Sequence, residues 1–256
     1  MSRIALVRRP VARLAEGVVE HIERVPVDVE RAMEQWTGYV AALAGAGWDV
    51  REVDASPDHP DSVFVEDTVV MFRNVAVVAR AGHLTRRGEE VAVEAVVAGL
   101  GCSVNRVRAP GTLDGGDVLK VGDTVYVGRG GRTDAEGVRQ LRAILTPVGA
   151  TVVPVPVTRV LHLKTAVTAL PDGSVIGYEP FVDDPRVFPR FRAVPEETGT
   201  AVVLLGGDRL LISASAPRTA DLLAGLGYEP VPVDISEFEK LEGCVTCLAV
   251  RVRELD

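Results

Sequence analysis

The sequence predicts an α/β fold in which one unit, strand, strand, helix, strand, recurs about five times around an axis. Three observations predict it. Helical stretches stop at glycines and are followed by extended stretches of period two. Pairs of apolar strands are joined by tight connectors of Gly, Asn or Asp. Acid, imidazole and thiol side chains (Asp67, Asp114, His162, Cys247) are spread along the chain, the first three at intervals of about 50 residues, as if each unit delivered one.

Taken in order, Ile4 to Val7 reads as a strand, so Met1 to Pro10 does not have the character of a secretory signal. Val29 to Leu43 places apolar residues at helical spacing, breaks at Gly45 and Gly47, and leads into a strand over Trp48 to Val53. Thr68 to Phe72 and Val75 to Ala79 form a hairpin through Arg73-Asn74, then a helix over Gly88 to Gly99, then Cys102 to Val107. The next copy is Asp117 to Val121, Thr124 to Val127, the helix Asp134 to Leu145 and the strand Ala150 to Val157. Thr165 to Leu170 and Ser174 to Tyr178 make a further hairpin, but Val182 to Glu197 is proline-bearing and irregular. Ala201 to Leu205, Arg209 to Ser213, the helix Pro217 to Leu226 and Tyr228 to Val233 complete another unit. Cys247 to Val252 and Ile4 to Val7 are each incomplete, so first and last strands are counted together. A unit of this size cannot bury both its faces alone, which favours a radial array.

The chain has 256 residues, enough for one large domain or two small ones, and nothing marks a linker. Its 47% apolar and 25% charged residues are those of an ordinary globular protein. A net charge of −8 argues against nucleic acid or an anionic membrane as partner and favours a cationic small molecule. No apolar run approaches the roughly 20 residues of a membrane helix. The cysteines Cys102, Cys244 and Cys247 are too few for a disulfide framework, which predicts a reducing, cytoplasmic setting.

Cys247, read as opening the last strand after a glycine-containing loop, is a candidate nucleophile; a buried structural cysteine is the commoner reading. Cys244 makes a Cys-x-x-Cys pair, which also occurs in redox and zinc sites, yet no second ligand pair accompanies it. His162 sits in apolar surroundings, where a histidine is more often part of the core, and His21, His59 and His83 show no pattern. The run Asp114-Gly115-Gly116-Asp117 reads as a turn, but apolar strand residues follow at once and place its carboxylates at a strand mouth. Asp61, Glu66 and Asp67 flank Val63-Phe64-Val65 in the same way. So many acids around one pocket repel one another unless a cation enters, and a guanidinium fits that need.

The segments FVED (64–67), LDGGDV (113–118), GRT (131–133), LHLKT (161–165) and GCVTCL (243–248) resemble the dimethylarginine dimethylaminohydrolases of the guanidino-group-modifying superfamily, which includes arginine deiminase. The resemblance runs from the first strand to the last. It implies a five-bladed α/β propeller, the pentein fold, as a single catalytic domain over 1–256, and hydrolysis of Nω-methylated L-arginine to L-citrulline and a methylamine with no cofactor or metal. By the same resemblance Cys247 attacks the guanidinium carbon, His162 is the general acid and base, and Asp114 completes the catalytic set. Asp67 and Asp114 orient the guanidinium, with Asp61 and Glu66 lining that pocket or holding its loop. Arg86 and Arg132 clamp the substrate carboxylate, Thr165 is a hydroxyl near the histidine, and Leu14 and Leu241 belong to a mobile wall. The segment Val11 to Val19 is placed as a lid with Gly17 as hinge. The partner implied is a small cationic amino acid, with neither nucleic acid nor membrane, and a homodimer is left open. Cys244 departs from the expected pattern and exposes Cys247 to oxidation. Three alternatives remain: an arginine deiminase, an agmatine deiminase, and a non-catalytic binding module of the same fold.

Overall fold

In the computed structural model, which describes residues 3–253, the chain forms five three-stranded sheets arranged as blades. The first blade opens with β1 (Ile4–Val7), is crossed by α1 (Val29–Gly45) and continues in β2 (Asp49–Glu52). The second is β3 (Val69–Phe72), β4 (Val75–Val78), α2 (Glu90–Gly99) and β5 (Ser103–Arg106). The third is β6 (Val118–Val121), β7 (Thr124–Arg129), α3 (Ala135–Leu145) and β8 (Thr151–Pro156). A single helical turn, α4 (Leu163–Ala166), precedes the fourth blade of β9 (Val167–Ala169), β10 (Val175–Gly177) and β11 (Phe191–Ala193). The fifth is β12 (Val202–Gly206), β13 (Arg209–Ser213), α5 (Pro217–Gly225) and β14 (Glu229–Val233). After the turn α6 (Ser236–Glu239), the chain returns as β15 (Val250–Val252) to pair antiparallel with β1, Ile4 opposite Val252, which completes the first blade.

Each blade repeats one pattern: its innermost strand runs antiparallel to the middle one, and its outermost runs parallel to it. The parallel crossover is supplied by the helix. Asp28 and Asp134 cap α1 and α3 by accepting the N–H of Arg31 and Gly137, at 3.0 Å and 2.7 Å. The turns after α1, α2, α3 and α5 need a left-handed residue, and Gly47, Gly101, Gly149 and Gly227 supply it with φ of 81°, 83°, 95° and 93°.

Because side chains alternate across a strand, each sheet feeds two neighbouring cores. Val70 and Phe72 enter the core shared with the third blade, while Val69 and Met71 enter the one shared with the first. The same division places Val118 in one core and Leu119 in the next. The result is five apolar clusters, one between each pair of successive blades. Helices α1, α2, α3 and α5 each seal one of them.

The fourth blade departs from the repeat. In place of a helix, the proline-bearing segment contributes Val182 and Phe188 to the cluster between blades three and four, and the Phe188 ring meets Tyr126 edge-on at 5.0 Å. Burying such a ring is worth about 2 kcal/mol, so bulky side chains here do the sealing done elsewhere by a helix face. Two other expectations are corrected. The stretch from Thr165 begins in a helical turn and becomes a strand only at Val167. Cys247 lies in a turn, and the closing strand starts three residues later at Val250.

The innermost strands β3, β6, β9, β12 and β15 line a central cavity of about 610 Å³. Among the described residues no helix is long and apolar enough to cross a membrane.

Candidate active site

The loops that enter four of these innermost strands converge at one end of the ring. They are the 3-10 turns Val65–Thr68 and Gly115–Asp117, the turn α4, and the turn holding Cys247. This topology explains the spacing in the sequence, since each blade contributes the residues just ahead of its innermost strand. Asp61, Asp67, Arg86, Arg132, His162 and Cys247 line one slot together with Val18, Phe64, Leu161, Leu241, Glu242 and Gly243. Its volume is about 10 Å³, at the lower limit for a single water.

His162 is buried, and its Nε2 lies 3.0 Å from Asp114 Oδ2, leaving Nδ1 on the side of Asp67, 3.9 Å from Oδ1. Burial alone would depress the imidazolium, but the Asp67 charge, the hydrogen bond to Asp114 and the nearby Asp117 outweigh it and push His162 up to about 9. Asp114 is held by the Gly82 N–H at 2.9 Å, and its own N–H donates to Thr133 Oγ1 at 3.1 Å. Asp117 accepts the Leu163 N–H and the Thr133 hydroxyl, at 2.9 Å and 2.6 Å, and so fixes the turn behind the histidine. Burial pushes Asp117 up to about 6. Asp67 accepts the Gly116 N–H at 2.7 Å and Arg86 at 2.6 Å; burial opposes its ionisation, but His162 and Arg86 prevail and hold it well below the usual carboxylate range.

Gly116 has no room for a side chain: a Cβ there would lie 2.6 Å from Asp67 Oδ1 and 2.7 Å from His162 Nδ1. Gly116→Ala is therefore expected to displace both and lower kcat at least tenfold, with a smaller effect on the thermal midpoint; near-wild-type turnover would mean that the two side chains need not hold these positions.

The thiols of Cys244 and Cys247 are 3.2 Å apart, and the Cys247 N–H donates to the Cys244 carbonyl at 3.0 Å. The hydrogen bond with Cys244, followed by burial and the charges of Glu66 and Asp67, holds the Cys247 thiol well above its ordinary range. From α1, Tyr39 donates its hydroxyl to the Val245 carbonyl at 2.9 Å and steadies this turn.

Arg86 is buried and directs its guanidinium to Asp67, to both oxygens of Glu89 and to the carbonyls of Asp61 and Phe64. Arg132 lies 3.7 Å from Asp114 Oδ2 and receives the Glu20 carboxylate. Leu241 lines the slot, whereas Leu14 does not: it is fully buried in the core between the first and fifth blades, and Val18 stands in the wall instead. Thr165 is half-buried in α4 and does not line the slot. Glu66 also turns away, because Lys164 and Arg251 draw its Oε1 into the central cavity at 2.6 Å and 3.2 Å. Only its backbone reaches the thiol loop, by donating to the Cys247 carbonyl at 3.1 Å.

Sequence reasoning missed Val18, Glu20, Phe64, Leu161 and Glu242, and gave no role to Asp117 and Thr133. Asp117 and Thr133 stood inside the DGGD and GRT motifs, Phe64 and Leu161 inside FVED and LHLKT, and Val18 inside the segment placed as a lid; Glu20 and Glu242 stood in none of these. Asp67, Asp114 and His162 are close enough to share a metal ion, their nearest atoms lying within 4.8 Å of one another. Those atoms already serve one another, Gly116 and Arg86.

A ring of five blades with thiol, imidazole and carboxylates at one end defines the class of guanidine-modifying enzymes, and residues 45–205 match the family model of arginine deiminase. Over 254 residues the chain is 67% identical to the N(G),N(G)-dimethylarginine dimethylaminohydrolase of Streptomyces coelicolor, covering 99% of this chain and 98% of that one. It is 36% identical to the enzyme of the same name from Pseudomonas aeruginosa, over 98% of this chain and 100% of that one. A crystal structure of the Pseudomonas aeruginosa enzyme complexed with citrulline superposes with a TM-score of 0.91, at 34% identity, over 98% of this chain and 100% of that one. The chain belongs to the dimethylarginine dimethylaminohydrolase family.

Proposed function

We propose that this enzyme hydrolyses Nω-methylated L-arginine to L-citrulline and methylamine or dimethylamine. The observation that carries the reading is the convergence of Cys247, the His162–Asp114 pair, Asp67 and Arg132 on one closed slot. The substrate guanidinium lies against Asp67, while Asp114 supports His162 from behind, and the positive charge of the substrate favours ionisation of the otherwise protonated Cys247. The thiolate attacks the guanidinium carbon and forms the C–S bond. His162, protonated near neutral pH, gives its Nδ1 proton to the methylated nitrogen; the C–N bond breaks and the amine leaves. The neutral imidazole then takes a proton from water, whose oxygen attacks the thiouronium carbon. Collapse breaks the C–S bond, releases L-citrulline and returns the thiolate. Asp61 and Arg132 hold the ammonium and carboxylate of the amino-acid head, Arg86 fixes Asp67, and Asp117 keeps the histidine turn in place. We place this chemistry in a reducing cytoplasm, where both thiols stay free.

Citrulline release from asymmetric dimethylarginine, L-arginine and agmatine at matched concentration, with Cys247→Ser as the blank, tests the reading. Turnover of the methylated substrate above the other two, lost in the variant, is the expected result. Preference for unmethylated arginine would overturn it in favour of a deiminase.

A further inference from the structure

The segment from Gly17 to His21 straps the slot, and its ties have a shared chemistry. The Val18 N–H donates to both oxygens of Asp61, at 3.1 Å and 3.2 Å. Glu20 Oε2 accepts from Nε and a terminal nitrogen of Arg132, at 3.2 Å and 3.1 Å. The backbone N–H groups of Glu20 and His21 donate to the two oxygens of Glu242, at 2.7 Å and 3.1 Å. Gly17 permits the approach, since a Cβ there would meet Asp61 Oδ1 at 2.7 Å. The acid Asp61 thus holds an N–H, and the buried cation Arg132 holds a carboxylate.

We propose that this strap is an intramolecular stand-in for the head of an α-amino acid, and that Glu20 is a specificity-determining residue because it occupies Arg132 until a ligand carboxylate replaces it. The inference rests on the methylarginine reading. Arg132 is 4% exposed and without Glu20 keeps the Asp114 carboxylate at 3.7 Å but loses both of its hydrogen bonds to a carboxylate, whereas the Glu20 side chain is 40% exposed and can return to water. With the slot at about 10 Å³, a substrate enters only when the strap lifts. A ligand carrying both ammonium and carboxylate replaces the strap's contacts to Asp61 and Arg132, though not those to Glu242. Agmatine offers no carboxylate and leaves Arg132 to Glu20. Selection against decarboxylated analogues is therefore built into a competitor within the chain.

Glu20→Gln removes the competing charge at nearly constant size. The expected result is a several-fold fall in KM for asymmetric dimethylarginine, larger than any change in kcat, with no matching gain in inhibition by agmatine. An unchanged or higher KM, or an equal factor for both ligands, overturns the proposal. Calorimetric affinity for L-citrulline in the Cys247→Ser background, with and without Glu20→Gln, reads the head contacts without turnover: tighter binding supports the proposal and equal binding overturns it. A wild-type enzyme that makes no citrulline from the methylated substrate would instead overturn the functional reading, and the two failures are distinguishable.

Discussion

Hydrogen peroxide is expected to abolish turnover by the wild-type enzyme, and dithiothreitol to restore it. The Cys244 and Cys247 sulfurs stand 3.2 Å apart, and a disulfide needs about 2.05 Å, an approach that a turn joining two residues three apart can make. The Cys244 thiol is drawn below its ordinary range, chiefly by its hydrogen bond to Cys247, so of the pair it is the more readily ionised and the one to react first with peroxide. It attacks one peroxide oxygen and becomes a sulfenic acid; Cys247 then displaces the hydroxyl and forms the S–S bond. Two thiols and one peroxide give one disulfide and two waters, and the Cys247 thiol is consumed. Titratable thiols should fall from three to one as activity is lost, Cys102 being buried under α2. Cys244→Ser should withstand the same dose far longer. Equal sensitivity of the two proteins would rule out the disulfide as the cause.

Asp114→Asn is expected to lower kcat by about two to three orders of magnitude, in the range of lost acid–base catalysis. It should also move the alkaline limb of the rate profile to lower pH. The direction follows from the sign of the interaction: Asp114 raises the proton affinity of His162, which stands at about 9. The amide removes that contribution, so the imidazolium that the proposed departure of the amine requires is lost at a lower pH. Asp114 also faces Arg132 at 3.7 Å, so some loss of substrate affinity is expected as well. A profile with an unmoved alkaline limb would show that Asp114 acts on geometry alone.

The blades were legible because their signals are local. Gly47, Gly101, Gly149 and Gly227 announce their turns by residue type, and unbroken apolar runs such as Val69–Phe72 and Val75–Val78 announce strands buried on both faces. The missing helix of the fourth blade was legible only as an absence of period, since its substitute is Phe188 packing on Tyr126 from the neighbouring blade. At the site, loop position predicted which residues reach the ring's end but not which way they turn. Glu66 and Asp67 are adjacent, yet Lys164 and Arg251 pull one into the central cavity while Arg86 and Gly116 hold the other in the slot. Those choices belong to partners far away in sequence. So does the contact of Glu20 with Arg132, 112 residues apart, for which no motif exists.

The pairing of β15 with β1 sets the order in which this enzyme can come into being. Contacts between Ile4 and Val252 span nearly the whole chain, so the first blade stays unfinished until the last strand has emerged from the ribosome. The thiol sits three residues ahead of that strand. The sulfur of Cys247 therefore meets the acids and the imidazole of the other blades only as the ring shuts, and a chain that stops before this turn lacks that thiol altogether.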